Sequence, residues 1–192
     1  MEKLQAVFRG KRAREVQVKR YEEGKKISCP FLSSGVITEA LLEFVENEGL
    51  ISKDDIVYDI GCGNGDIIVA LSKKFGCHTY GLDIDPVLIA TANRRAAEES
   101  VSDLVHAEIG EAESVNLKDP QQATVIYLFL VPHCLVRVSK IILASCPEGT
   151  TVIAYKYQMP EEDGWVPLKT CACPDVLKPG KEEKIYIYKL TT

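Results

Sequence analysis

The sequence lacks the features that mark several large classes of protein. Its 192 residues contain no uninterrupted apolar run of about 20 residues, the length that a membrane-spanning helix needs. The seven cysteines are odd in number and scattered, without paired CxxC spacing, so they indicate neither a disulfide framework nor a zinc site. No internal repeat or low-complexity segment divides the chain. We therefore expect an ordinary globular protein with no membrane insertion and no bound metal.

Positive charge is concentrated at the N-terminus. Residues 1–26 contain nine Lys and Arg against four Glu, a net charge of +5, so the remainder carries −10 of the total of −5. Basic arms of this kind contact nucleic acid in some proteins, although most charged termini are simply solvated. We divide the chain into a basic N-terminal arm, residues 1–30, and a single domain, residues 31–192. Nucleic acid is a candidate partner of the arm.

The N-terminal segment also bears on localisation. An Arg-rich start resembles an organelle transit peptide, but four glutamates, Glu2, Glu15, Glu22 and Glu23, are atypical of one. No apolar core follows Met1, as a secretory signal would require. The sequence predicts a cytoplasmic protein, with a mitochondrial location as the alternative.

Seven strand-like segments alternate with helix-like segments along the domain. The predicted strands are 56–60, 78–82, 104–109, 124–131, 150–157, 168–173 and 184–190. Alternation of this kind predicts an α/β fold with a Rossmann-like, doubly wound sheet of about seven strands and helices on both faces. The sheet is expected to be mostly parallel, with a C-terminal antiparallel hairpin. Its most apolar strand, 124–131, is expected at the centre.

A glycine-rich motif, DIGCGNG, follows the first predicted strand. Its glycines, Gly61, Gly63 and Gly65, have GxGxG spacing instead of the GxGxxG of dinucleotide sites. The Gly-Lys-Ser/Thr ending of a P-loop is missing, which disfavours a nucleoside triphosphate. In open α/β sheets, ligands bind beyond the carboxyl ends of the strands, so the loop stands where a ligand is expected.

Two acidic residues flank the glycines. Asp59 ends the first strand, and Asp83 follows the second strand eighteen residues after Gly65. An acid at the second position is suited to accept hydrogen bonds from ribose hydroxyls. Two carboxylates repel phosphate and attract an ammonium or sulfonium group, which predicts a ligand with a ribose and a positive charge. A third acid, Asp85, is explained as the N-cap of the next helix.

DIGCGNG and LDID resemble motif I and the acidic end of strand 2 in class I, seven-strand S-adenosylmethionine-dependent methyltransferases. The resemblance extends over about residues 30–190 and implies S-adenosyl-L-methionine as the cofactor. It implies that Asp59 holds the methionine amino end, that Asp83 binds the ribose and that Glu111 lies near the adenine amino group. The implied cofactor-binding residues are Asp59, Gly61, Cys62, Gly63, Gly65, Asp83, Ile84 and Glu111.

The segment YLFLVPHC, residues 127–134, at the carboxyl end of the fourth strand, bears on the methyl acceptor. It lacks the Asn/Asp-Pro-Pro-aromatic motif of enzymes that methylate planar amino groups. It resembles a branch of protein-lysine methyltransferases related to those that act on the ATP synthase c-subunit and the adenine nucleotide translocase, as do Pro30-Phe31 and the residues from AYKYQMP to GWVP, 154–167. That branch usually has an N-terminal membrane anchor, which this sequence is not expected to have. The resemblance implies a protein substrate, with lysine as the acceptor.

No catalytic residue is assigned from the sequence. The acceptor-site candidates are Phe31, Val131, Pro132, His133 and Trp165. His133 is either a base or an exposed residue in the first turn of a helix, and Phe31 and Trp165 either line an acceptor channel or pack in the interior. Three functions stay open: a protein methyltransferase, a methyltransferase acting on RNA or a small molecule, and a non-catalytic scaffold that binds S-adenosylmethionine.

Overall fold

The computed structural model describes residues 35–112, 122–174 and 182–191. The predicted basic arm, residues 1–30, and the candidate Phe31 lie outside the described residues. The division of the chain into an arm and a single domain therefore stays a prediction.

The described residues form seven strands and four α-helices in the alternating order that the sequence predicts. The strands are β1 (Ile56–Ile60), β2 (His78–Asp83), β3 (Val105–Ile109), β4 (Val125–Leu128), β5 (Thr151–Tyr155), β6 (Lys169–Pro174) and β7 (Glu182–Lys189). The helices are α1 (Gly35–Glu48), α2 (Asp66–Phe75), α3 (Pro86–Glu98) and α4 (Pro132–Ser145), and a short 3-10 helix, Glu161–Asp163, precedes β6.

All seven strands belong to one sheet with the order β3-β2-β1-β4-β5-β7-β6. β1 to β5 are parallel to their neighbours, and β7 lies antiparallel between β5 and β6. This confirms the predicted Rossmann-like sheet with its C-terminal antiparallel hairpin. β4 is the middle strand and all four of its residues are buried, as its apolar sequence predicts. The strand order reverses between β1 and β4, which in such sheets is where a crevice opens.

Helices cover both faces of the sheet, because successive residues of a strand point to opposite sides. Val125 and Tyr127 of β4 pack on the side of α1 and α2, with Leu41 and Ile67 among their neighbours in one core cluster. The alternate β4 residues belong to a second core cluster with residues of α4 such as Leu135. No helix in the described part of the chain combines the length and the apolar character needed to cross a membrane.

Two strands are shorter than the sequence predicts. β4 ends at Leu128 instead of residue 131, because Val131 already serves as the N-cap of α4 and Pro132 occupies its first turn. β5 ends at Tyr155 instead of residue 157, because Lys156 adopts a left-handed backbone conformation with φ 73°. Residues 129–131 and the chain after Tyr155 are therefore released from the sheet at its carboxyl edge.

Candidate functional site

The carboxyl ends of β1, β2 and β4 meet at the edge of the sheet where the strand order reverses. β1 is paired with β2 on one side and with β4 on the other, all parallel, so the loops that follow these strands lie side by side. The first loop contains the glycines, the second follows Asp83 at the end of β2, and the third begins the segment that leads into α4. The fold therefore brings the two groups of predicted site residues to the same edge.

The glycine loop is held closely against β2. The backbone N–H groups of Gly61 and Cys62 donate to the Leu82 carbonyl at 2.8 and 3.0 Å. Gly61 has φ 89° and Gly63 has φ 56°, conformations that glycine adopts without the steric cost that a side chain would add. A Cβ on Gly61 would lie 2.8 Å from Leu130 Cδ2, so the bare backbone is also what allows the loop to approach the segment after β4.

Asp83 fixes the middle of the glycine loop. Its Oδ2 accepts a hydrogen bond from the Gly63 N–H, and its Oδ1 accepts one from the Asp85 N–H, both at 3.0 Å. A carboxylate offers about four acceptor positions, so these two bonds leave capacity for ligand hydroxyls. Burial raises the pKa of Asp83 above its ordinary value, although the bonds from Asp85 and Gly63 act in the opposite direction. The same carboxyl group therefore shapes the loop at the edge of the sheet where a ligand is expected.

Asp59 is a buried carboxyl group of the site. Its side chain lies within the sheet edge, and burial, with a further contribution from the nearby charge of Asp83, raises its pKa to about 8. Burying an ionised carboxylate is unfavourable unless a cation or hydrogen-bond donors compensate for the lost water. At neutral pH the free protein therefore keeps Asp59 protonated, and a cationic ligand placed beside it would favour ionisation.

Two further residues of the loop differ in what their side chains do. The Oδ1 atom of Asn64 is buried and has no hydrogen-bond partner among the described residues, although buried polar atoms are usually paired. The Cys62 thiol is buried against β2, where a Cβ on Gly81 would lie 2.7 Å from its sulfur. Burial raises the pKa of this thiol, so it stays neutral and contributes packing. The Asn64 oxygen, in contrast, is an acceptor without a partner among the described residues.

The remaining predicted cofactor residues lie beside Asp83. Ile84 is half-buried between Asp83 and Asp85, and Asp85 caps α3 by accepting a hydrogen bond from the Val87 N–H at 2.8 Å, as expected. After β3, the Gly110 N–H donates to the Asp83 carbonyl at 3.0 Å. This bond places the half-buried Glu111 at the same edge. The structure therefore brings together all eight residues that the sequence assigns to the cofactor.

The acceptor-site candidates separate into two places. Val131, Pro132 and His133 directly follow Leu130, which contacts the glycine loop, and His133 is exposed in the first turn of α4. Trp165 is buried instead: its Nε1 donates to Ser139 Oγ at 2.6 Å, and its ring packs edge to face on Tyr188 with centroids 5.4 Å apart. These contacts favour the packing role for Trp165, and they hold the chain after β5 against α4.

Two polar groups that the structure places here, Asn64 and Tyr127, were not assigned from the sequence. The Tyr127 hydroxyl is buried and, like Asn64 Oδ1, has no hydrogen-bond partner among the described residues. A signal for Tyr127 was present, because it is the one side chain with a hydroxyl between Val125 and Val131. The unpaired state of these atoms depends on the packing around them and is not encoded in a local motif.

The polar groups at this edge of the sheet suit a ligand that has hydroxyl groups and a positive charge. Asp83 offers acceptor positions, Asp59 is a buried carboxyl group beside a second acid, and Asn64 presents an unpaired oxygen. The glycine loop brings a bare backbone to the same place. A phosphate group would instead disfavour ionisation of these carboxyl groups, and none of these residues offers it a positive charge.

Comparison with known proteins gives a consistent family. The model of the ANTKMT methyltransferase domain matches residues 59–168, more than half of the chain, and this range begins at Asp59. A protein-lysine N-methyltransferase of Saccharolobus islandicus is 26% identical over 139 residues, which are 72% of this chain and 81% of that protein. A ribosomal protein L11 methyltransferase of Psychrobacter arcticus is 34% identical over 74 residues, but the match spans only 23% of that protein.

Among solved structures, an RNA methyltransferase from Salinibacter ruber in complex with S-adenosyl-L-homocysteine has the same fold. The superposition has a TM-score of 0.69 with 24% sequence identity, and it covers 83% of this chain and 94% of that one. At this identity the likeness concerns the fold and not the substrate.

The raised pKa of Asp59 predicts a pH-dependent gain in stability for Asp59→Asn. Between pH 4 and pH 8 the carboxyl group ionises in the unfolded chain but stays protonated in the folded protein. Rising pH therefore lowers the free energy of unfolding of the wild type across this window. Asparagine does not titrate, so the variant should be more stable than the wild type by on the order of 5 kcal/mol at pH 9, with little difference at pH 3.5.

Urea denaturation of the ligand-free protein at the two pH values measures this difference. Asp103→Asn, which alters an exposed acid in the turn before β3, is the matched control and should show no such trend. Equal stabilities of Asp59→Asn and wild type at pH 9 would mean that Asp59 is ionised and compensated in the free protein.

Proposed function

The chain belongs to the ANTKMT methyltransferase domain family and is an S-adenosylmethionine-dependent methyltransferase, and we propose that its acceptor is a lysine side chain of a protein. The observation that carries this proposal is the match to the archaeal protein-lysine N-methyltransferase, which extends over 72% of the chain. The segment after β4 agrees with it. This segment is apolar and offers no Asn or Asp side chain to hold a planar amide or adenine amino group.

We assign the cofactor to the crevice at the carboxyl edge. Asp83 would accept hydrogen bonds from the ribose hydroxyls with the positions that Gly63 and Asp85 leave open. Asp59 would face the ammonium group of the methionine part, and the oxygen of Asn64 is a further acceptor at this end. Ile84 and Glu111, which lie beside Asp83, would contact the adenine ring.

The cofactor supplies a methyl group on a positively charged sulfur, and this chain's own residues orient the acceptor toward it. A lysine amine must be neutral to act as a nucleophile. Apolar side chains beside the acceptor, such as Val131 and Pro132, would disfavour the ammonium form and lower the pKa of the incoming lysine, and the positive charge of the cofactor would act in the same direction. Correct placement with exclusion of water supplies a large part of the rate, so no dedicated base is required. His133 is exposed and is not assigned this role.

The placement of the ribose predicts that Asp83→Asn weakens cofactor binding. An asparagine presents one oxygen and one NH2 group, so either Gly63 or Asp85 would face a donor instead of an acceptor. The affinity for S-adenosylmethionine should fall by about a hundredfold, since one charge-assisted ligand bond and the loop geometry are lost together. Isothermal titration calorimetry measures this effect, with Asp103→Asn as the control that keeps the same change of charge. Unchanged affinity would show that Asp83 does not bind the cofactor.

The nature of the acceptor is tested by labelling. The purified protein is incubated with S-adenosylmethionine carrying a labelled methyl group and with a cell lysate, and the label is traced to protein, RNA or small molecules. We expect labelled protein that yields methyl-lysine on hydrolysis, and no label with Asp83→Asn.

The other outcomes separate the rival functions. Label in RNA that disappears when residues 1–26 are removed, and that falls steeply with salt, would support an RNA substrate contacted through the basic arm. Label in small molecules would contradict a protein acceptor. Cofactor binding without any labelled product would indicate a scaffold.

A further inference from the structure

Tyr127 is a buried polar residue that neither the cofactor crevice nor the acceptor segment accounts for. It lies in the middle of β4, its side chain is 2% exposed, and its hydroxyl has no hydrogen-bond partner among the described residues. A hydroxyl in this state has lost its bonds to water without gaining others, which costs free energy in the folded protein. A phenylalanine would fill the same space without this cost, which points to a use for the hydroxyl.

The position of Tyr127 relative to Asp59 indicates what that use is. The two residues are register partners on the neighbouring parallel strands β1 and β4, so their side chains leave the same face of the sheet from strands about 4.8 Å apart. Asp59 is 4% exposed, and the pKa of Tyr127 is raised by burial first and then by the charge of Asp59. The phenol and the carboxyl group are therefore close neighbours in an interior with little water.

The surroundings of this pair are largely apolar. Ionisable groups near the Tyr127 hydroxyl are Asp59, Tyr155 of β5 and Cys173 of β6, and Asp59 also feels Asp83 of β2. Phe129 packs edge to face on Tyr155, with ring centroids 4.9 Å apart. A carboxylate that forms here has few places from which to receive hydrogen bonds, and the Tyr127 hydroxyl is a donor with no other partner among the described residues.

We propose that Tyr127 is a positioning residue for the amino-acid end of the cofactor: its hydroxyl donates a hydrogen bond to the Asp59 carboxylate when the ligand's ammonium group binds there. Without the ligand, Asp59 is protonated and the hydroxyl is unpaired. When the ammonium arrives, the carboxyl proton leaves to solvent, and the resulting carboxylate is held between the ammonium and the phenol. The inference rests on the proposed placement of the methionine part beside Asp59, and it is independent of the acceptor.

Tyr127→Phe tests this proposal because it removes only the hydroxyl. Two ligands are compared by calorimetry: S-adenosyl-L-homocysteine, which has the ammonium group, and 5′-deoxy-5′-methylthioadenosine, which lacks the amino-acid end. Affinity for the first should fall by about tenfold, the usual effect of losing a hydrogen bond to a charged group, and affinity for the second should not change. Thermal unfolding of the ligand-free variant should occur at the wild-type temperature or above it, because the lost hydroxyl was unpaired.

Two control variants distinguish a hydrogen bond to Asp59 from a general effect of removing a tyrosine hydroxyl. Tyr80→Phe removes a hydroxyl from a tyrosine on β2 that stacks on Tyr58, and it should alter neither affinity. In the Asp59→Asn background, Tyr127→Phe should add little further loss, since the carboxylate it serves is gone.

Several results would overturn the proposal. Equal weakening for both ligands, or a lowered unfolding temperature, would mean that Tyr127 only supports the fold. Unchanged affinity for both would mean that the hydroxyl is not engaged. A raised KM for the protein acceptor with unchanged affinity for S-adenosyl-L-homocysteine would mean that the hydroxyl serves acceptor binding and not cofactor binding. If Asp59→Asn itself leaves the affinity for S-adenosyl-L-homocysteine unchanged, the placement of the methionine part fails, which is a separate result.

Discussion

The site depends on one costly arrangement, the buried Asp59 carboxyl group beside a second acid and without a described cation. A carboxyl group in this position destabilises the free fold at neutral pH, because the unfolded chain would ionise it freely. The surrounding elements make the arrangement possible. β1 and β4 bury the group, and Asp83 is held apart from it by its bonds to the loop backbone. Asp59 therefore lowers the stability of the free protein, and a cationic ligand that binds beside it would recover that stability.

The order of the elements follows from local sequence. β1 begins and ends where the apolar run does, as predicted, and α2 lies between Gly65 and Gly76. The placement of Asp59, Asp83 and the glycines at one edge also follows, because parallel strands place their carboxyl ends together. The ends of β4 and β5 do not follow from local sequence, because they depend on Val131 as the N-cap of α4 and on the left-handed backbone of Lys156. The unpaired atoms of Asn64 and Tyr127 depend on tertiary neighbours and lay beyond any local pattern.

The two halves of the site use different physical chemistry. On the proposed cofactor side, carboxyl groups and a bare glycine backbone suit a ligand with hydroxyls and positive charge. On the acceptor side, Leu130 reaches the glycine loop, and Val131 and Pro132 continue from it with no ionisable side chain. Apolar side chains beside a positively charged cofactor would favour a neutral amine, which agrees with the proposed lysine acceptor. The Trp165 and Ser139 contact contributes by fixing the chain after β5 against α4.

The central claim is that Asp59 is protonated in the free protein and becomes ionised when the cationic cofactor binds. Calorimetric titration with S-adenosylmethionine at pH 7 in two buffers of different ionisation enthalpy measures the protons exchanged on binding. With a pKa of about 8 in the free protein, we predict the release of about one proton in the wild type and of none in Asp59→Asn. A binding enthalpy that is the same in both buffers for the wild type would contradict this claim.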